Sequence, residues 1–108
     1  MKINVNPEKQ ADIDWSHQVK DRDKWRCVVC GSEFRPNAHH IVPREIRLHR
    51  WDVENGITLC VNHHKFSRAI SAHQNPMSFF VWLQEHRPQQ FVTAFLRNKD
   101  LIEEEEKK

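Results

Sequence analysis

No apolar run in this chain approaches the roughly 18 residues that a membrane-spanning helix needs, and no apolar stretch follows Met1-Lys2 as it would in a secretory leader. Cysteine is scarce: the three present cannot all pair as disulfides, so a disulfide scaffold is not what holds the chain together. Internal repeats are missing, and no linker-like stretch divides the sequence. A length of 108 residues then bounds the reading to one small domain. These absences point to an intracellular, cytoplasmic protein with no membrane partner.

What is present is polar. The chain is 38% hydrophobic and 30% charged, with a mean hydropathy of −0.81. A domain this small and polar buries only a modest core, so an added staple such as a metal site is expected. Net charge is +2, but the acidic tail conceals part of the basic excess. Residues 1–102 alone carry 15 basic and 11 acidic side chains. That balance permits nucleic-acid binding by charge neutralisation without requiring it.

Residues 1–11 lack a clear period and are expected to form a flexible N-terminal segment. Asp12 or Asp14 can cap a helix that runs through Trp15 and Val19 towards Lys24. Trp15 shares a stripe with Val19 and Arg22, which favours packing over function for the indole. Ala38 to Val42 reads as a short strand stopped by Pro43. A charged connection, Arg44 to Glu54, leads to a second strand over Gly56 to Leu59. Cys60 or Val61 then opens a helix expected to continue through His64, Arg68 and Ile70 to about Ala72. Asn75-Pro76 starts another helix with an aromatic face, Arg87-Pro88 interrupts it, and Phe91, Phe95 and Leu96 follow at helical spacing. The expected organisation is one domain over 12–102, with its core over 14–72 and a C-terminal helical part over 75–99. Residues 103–108 form a charged tail.

Two groups of metal-ligand chemistry fall between Cys27 and Arg68. Cys27-x-x-Cys30 with Gly31 directly behind it has the spacing and turn of a zinc knuckle. Cys60 and His63, three residues apart at a helix start, share a face and can close the tetrahedron, with His39 as the other candidate for the fourth ligand. Two half-sites thirty residues apart, each correctly spaced, make a strong signal for structural zinc. Left over are His39, His40, Asn55 and His64. His64 points roughly 100° away from His63 around a helix axis, so it can enter a separate groove. Arg68, four residues on, is expected on the His64 face. His49, His73, His17 and His86 lack such company and are read as incidental. Arg44, Arg47 and Arg50 with Trp51 can line a DNA groove, or form a solvated connection.

Arg22-Asp23-x-x-Arg26-Cys27-x-x-Cys30-Gly31, Ala38-His39-His40-Ile41-Val42-Pro43 and Glu54-Asn55-Gly56-Ile57-Thr58-Leu59-Cys60-x-x-His63-His64-Lys65 together resemble the HNH endonucleases. The match covers about residues 14–70 and looks most like the compact, stand-alone members of phages and bacteria. The resemblance implies an α+β fold: a small zinc-stabilised ββα-metal (His-Me finger) core with flanking N- and C-terminal helices. Many zinc-bearing members have Cys where this chain has His63, so a Cys₃His site is implied here. Arg68 stands where some relatives place a further metal-binding His, which leaves two protein ligands for a catalytic metal.

The implied function is metal-dependent hydrolysis of DNA phosphodiester bonds by nicking or double-strand cleavage, leaving 5′-phosphate and 3′-hydroxyl ends. In this assignment His40 is the general base and Asn55 holds the loop that orients it. His39 and His64 bind one catalytic divalent ion, Mg²⁺ or Mn²⁺ foremost. Arg68 and Lys65 are candidates for phosphate contact, as are Arg44, Arg47 and Arg50. DNA is the expected partner, with a phage packaging or restriction assembly as a further one. The competing reading is a non-catalytic zinc-knuckle module that binds DNA or protein; such a module needs neither His40 nor Asn55.

Overall fold

The structure, a computed structural model, describes residues 6–107. Three helices each begin on a proline at the first helical position, where the missing N–H costs nothing and the fixed φ suits the helix. They are α1 (Pro7–Arg22), α2 (Pro76–His86) and α3 (Pro88–Glu106). Asn6 caps α1 by accepting from the Glu8 N–H at 2.8 Å, and Asn75 caps α2 by accepting from the Ser78 N–H at 3.2 Å. Helix α1 therefore begins well before Asp12 or Asp14, inside the segment expected to lie outside the domain. At the other end, α3 carries the expected charged tail as helix through Glu106.

Between α1 and α2 lies a two-stranded antiparallel ribbon of β1 (Asn37–His40) and β2 (Gly56–Leu59). The register sets His39 opposite Ile57 and His40 opposite Gly56. Strand β2 appears where the sequence predicts it, whereas β1 stops at His40 rather than Val42. Beyond His40 the chain follows Asn55 instead: the Ile41 N–H donates to the Asn55 carbonyl oxygen at 2.9 Å. The connection between the strands contains two short 3₁₀ turns, Arg47–His49 and Val53–Asn55.

The helix expected from Cys60 to Ala72 does not form. After β2 the chain makes a single π-type turn, Asn62–Phe66, ended by the Ser67 N–H donating to the Asn62 carbonyl oxygen at 2.8 Å. The chain then doubles back. Ala72 and His73 donate their N–H groups to the carbonyl oxygens of His63 and His64, both at 3.0 Å. A mixed α+β core of two strands and a helical turn, with helices on either side, is the small ββα arrangement that the motifs imply.

The core gathers Cys27, Ile41, Ile57, Leu59, Cys60, Phe79, Leu83 and Ala94, so the cysteines pack among the hydrophobes that join ribbon and helical pair. Helix α1 is stapled to β2 by adjacent charges. Asp23, nearly inaccessible, accepts from the Thr58 N–H at 3.0 Å, and Arg22 donates to the Gly56 carbonyl oxygen at 2.7 Å. Helix α3 grips the interstrand connection. Gln90 donates to the carbonyl oxygens of Glu54 and Gly56, and Arg97 pairs with Asp52 at 3.0 Å.

Candidate active site

Cys27, Cys30, Cys60 and His63 converge as their spacing predicts. Gly31, at φ +77°, supplies the left-handed turn behind Cys30, and its N–H donates to the Cys27 carbonyl oxygen at 2.7 Å. The separations are 3.8 Å for Cys30 Sγ to Cys60 Sγ, 3.7 Å for Cys27 Sγ to His63 Nδ1 and 3.4 Å for Cys60 Sγ to His63 Nδ1. A tetrahedron around zinc with bonds of about 2.3 Å to sulfur and 2.0–2.1 Å to nitrogen has edges of about 3.8 and 3.5 Å. The four donor atoms thus fit a structural zinc. Burial pushes the Cys27 thiol up to about 11. For Cys60, burial also acts upward, but hydrogen bonds from the His63 backbone and the Cys27 and Cys30 side chains outweigh it and the net shift is downward. Burial lowers His63, keeping it a neutral imidazole fit to coordinate.

The turn that carries His63 towards the thiols sends His64 the other way. There it meets His39 from the end of β1, with ring centroids 5.1 Å apart. A third imidazole completes the group: His73 lies 5.3 Å from His39 and 4.6 Å from His64, centroid to centroid. The ligand atoms of His39, His64 and His73 all lie within 4.8 Å of one another, so the three can share one ion. Burial, with the neighbouring imidazoles, holds His39 down to about 3, and burial with His73 and Lys65 holds His64 down to about 4. Both are neutral at pH 7, with lone pairs available. The buried Nδ1 of His64 has no hydrogen-bond partner among the described residues. His73, read from the sequence as incidental, is thus the third imidazole of the cluster. No helical spacing announces it; the return of the chain along the π-type turn brings it there.

A cavity of about 450 Å³ opens on this cluster, bounded by His39, His40, His64, His73, Arg44 and Phe79. His40 borders it from the last position of β1. Its Nε2 lies 2.9 Å from the Arg50 carbonyl oxygen. A carbonyl only accepts, so Nε2 carries the hydrogen and the neutral ring keeps a bare lone pair on Nδ1. Burial lowers this imidazole, more than the Arg50 carbonyl raises it, which keeps it unprotonated at neutral pH. Asn55 is buried and fully engaged. Its Oδ1 accepts from the Val42 N–H at 2.8 Å, and its Nδ2 donates to the carbonyl oxygens of Val42 and His49 at 3.0 and 3.2 Å. It thereby ties the start of the interstrand connection to its end, the segment that presents Arg50 to His40.

The cations expected around the site separate into two groups. Arg50 is not free for phosphate: it pairs with Asp12 at 2.7 Å and Glu8 at 3.1 Å, and its side chain is only 12% exposed. Arg47 pairs with Glu8 at 3.0 Å. Both are committed to acids of α1, and Trp51 donates its indole N–H to Asp12 at 2.9 Å. The start of α1 at Pro7 places Glu8 and Asp12 opposite these arginines. Arg44 lines the cavity and Lys65 is exposed beside His64. Arg68 is exposed as well, but the chain has left helical geometry at Ser67, so the i,i+4 relation to His64 does not exist.

Residues 27–69 match the family model of the HNH endonucleases. No curated protein and no solved structure matches the chain. The matched segment holds both Cys/His half-sites, His39, His40, Asn55 and His64, so this part of the chain is similar to the HNH endonucleases. His73 lies just beyond it. No described helix is long and apolar enough to cross a membrane.

Proposed function

We propose that this protein is a metal-dependent endonuclease that hydrolyses DNA phosphodiester bonds and leaves 5′-phosphate and 3′-hydroxyl ends. The observation that carries the reading is the placement of His40, with a lone pair on its Nδ1, on the same cavity as the imidazoles of His39, His64 and His73. His39, His64 and His73 hold the catalytic ion, which when bound supplies positive charge for the phosphate and the leaving oxygen. His40 accepts a proton from the attacking water at Nδ1, while its Nε2–H stays on the Arg50 carbonyl. The new bond forms between the water oxygen and phosphorus, the bond to the 3′ oxygen breaks, and that oxygen takes a proton from solvent. Asn55 holds the segment that presents Arg50. Arg44 and Lys65 hold phosphates on either side of the scissile one.

The donor set also bears on the metal. Three imidazoles suit borderline transition ions such as Co²⁺, Ni²⁺ or Zn²⁺ better than Mg²⁺, which favours oxygen ligands, while Mn²⁺ accepts both donor types. The test is incubation of supercoiled plasmid with each ion and with EDTA, followed by mapping of the ends. Conversion to nicked or linear DNA only with metal, and more strongly with Mn²⁺ or Co²⁺ than with Mg²⁺, is the expected result. Zinc-loaded, folded protein that binds the plasmid without cutting it under any metal identifies a binding module instead.

A further inference from the structure

His40 is held by more than its hydrogen bond. Its ring lies flat on the indole of Trp15, with centroids 3.8 Å apart and planes 6° from parallel. The slot for that indole comes from the opposite strand. Gly56 is the cross-strand partner of His40, and a Cβ there would collide with Val19 and Trp15. The indole N–H then reaches the interstrand connection, donating to the Asp52 carbonyl oxygen at 2.7 Å. Two residues earlier in that connection, Arg50 presents the carbonyl that binds His40. Asp52 is fixed in turn by Arg97 of α3.

A single hydrogen bond through Nε2 fixes one atom of an imidazole but leaves the ring free to swing about that bond. A parallel aromatic face removes this freedom. Stack and hydrogen bond together fix the direction of the Nδ1 lone pair, and both refer to the same short segment, since Trp15 and His40 each bond to it. An apolar side chain of equal bulk would fill the space without doing either.

We propose that Trp15 is a positioning residue for the cleavage reaction: it fixes the plane of the His40 ring and locks that ring to the segment bearing its hydrogen-bond acceptor. The proposal rests on the reading of His40 as the base. Trp15 touches neither substrate nor metal ligand in this role, so its loss acts on the rate of the chemical step and not on substrate affinity.

The experiment compares Trp15→Phe, Trp15→Leu, His40→Ala and the double variant Trp15→Leu/His40→Ala. Single-turnover cleavage is measured at saturating metal and DNA, below the melting temperature of each protein, with zinc content and DNA affinity measured alongside. Trp15→Leu is expected to slow cleavage by at least about tenfold with DNA affinity unchanged, as misdirection of a reacting group does. Trp15→Phe, which keeps a flat face, is expected to retain more than half of that lost activity. In the His40→Ala background Trp15→Leu is expected to change nothing further. A folded Trp15→Leu protein that cuts at the wild-type rate overturns the proposal, and so does an equal fractional loss with and without His40.

If Trp15→Leu does not fold, NMR of the wild-type protein decides. A rigid His40 ring with upfield-shifted ring protons supports the stack, and a mobile ring sinks it. His40→Ala cutting at the wild-type rate is a distinct outcome, which removes the base assignment itself and the positioning role with it.

Discussion

His64 and His73 meet Nε2 to Nε2 at 3.1 Å, and their backbones are joined by the His73 N–H donating to the His64 carbonyl oxygen at 3.0 Å. Two imidazoles nine residues apart are thus fixed relative to each other before any ion arrives. Two ring nitrogens at this distance share one hydrogen at best, whereas an ion can use a lone pair from each ring at once.

His73→Ala is therefore expected to weaken binding of the catalytic ion by at least about tenfold, with cleavage partly restored at higher metal concentration. Zinc content should not change, because Cys27, Cys30, Cys60 and His63 do not involve it. Metal titration of cleavage, run beside Arg68→Ala, checks this. A larger loss of metal affinity for Arg68→Ala than for His73→Ala would contradict the assignment.

His40→Ala should remove most cleavage while leaving affinity for the catalytic ion and for DNA near the wild-type values. His39→Ala should do the reverse with respect to the ion, since on the proposed assignment it removes a ligand. Titrating both variants with Mn²⁺ separates the two behaviours. Equal losses of metal affinity would show that the two neighbours share one task.

Cys30→Ser should release close to one zinc per chain and lower the melting temperature by more than about 10 °C. Binding of structural zinc is coupled to folding, and each kcal/mol moves the midpoint of a domain this size by about 4–8 °C. Zinc analysis with thermal melts tests both halves. A variant that keeps its zinc and its melting temperature would remove Cys30 from the site.

Asn55→Ala leaves the buried N–H of Val42 and the carbonyl oxygens of Val42 and His49 without their side-chain partner. A loss of about 2–4 kcal/mol in urea unfolding is expected from buried polar groups left unpaired. Cleavage should fall as well, measured where the variant is still folded. An Asn55→Ala protein of wild-type stability would show that the connection holds itself.

Asp12 provides a pH test. Its hydrogen bond to Arg50 holds the carboxyl at about 2, below the ordinary 3.8 and against the opposing effect of burial. A folded value below the unfolded one stabilises the protein above about pH 3.8, and that stabilisation fades as pH falls through about 2. Wild type should exceed Asp12→Asn in stability at pH 6 by an amount that shrinks as the pH falls below 4. Urea unfolding across that range measures the gap; a gap that is constant down to pH 2 would assign it to shape rather than charge.

The cluster of Cys27, Cys30, Cys60 and His63 was legible in the sequence because each half is local: the two members lie three positions apart in both, and a turn or helix start is enough to bring them together. Strand β2 and the capped start of α2 were legible for the same reason. The start of α1 carries the same Asn-Pro pair, Asn6-Pro7, as the start of α2, yet the polar run behind it masks the period and directs attention to Asp12. Starting the helix at Asp12 or Asp14 also left Glu8 outside it and Asp12 at its cap, and so hid the partners of Arg47 and Arg50. His73 and Trp15 could not be read from spacing. One reaches the site through a chain reversal and the other through a slot opened by a glycine on another strand, and both are tertiary facts.

The π-type turn over Asn62–Phe66 sets His63 on the thiols and His64 on the imidazole cluster. Consecutive residues therefore belong to two candidate ion sites, one for a scaffold ion and one for a working ion, and the backbone bonds from Ala72 and His73 fasten to the same two residues. Stripping the scaffold ion would release this turn and scatter the ligands of its neighbour. An inhibitor that extracts zinc from the knuckle would thus silence cleavage without entering the cleft, and resupplying Mn²⁺ alone would not reverse it.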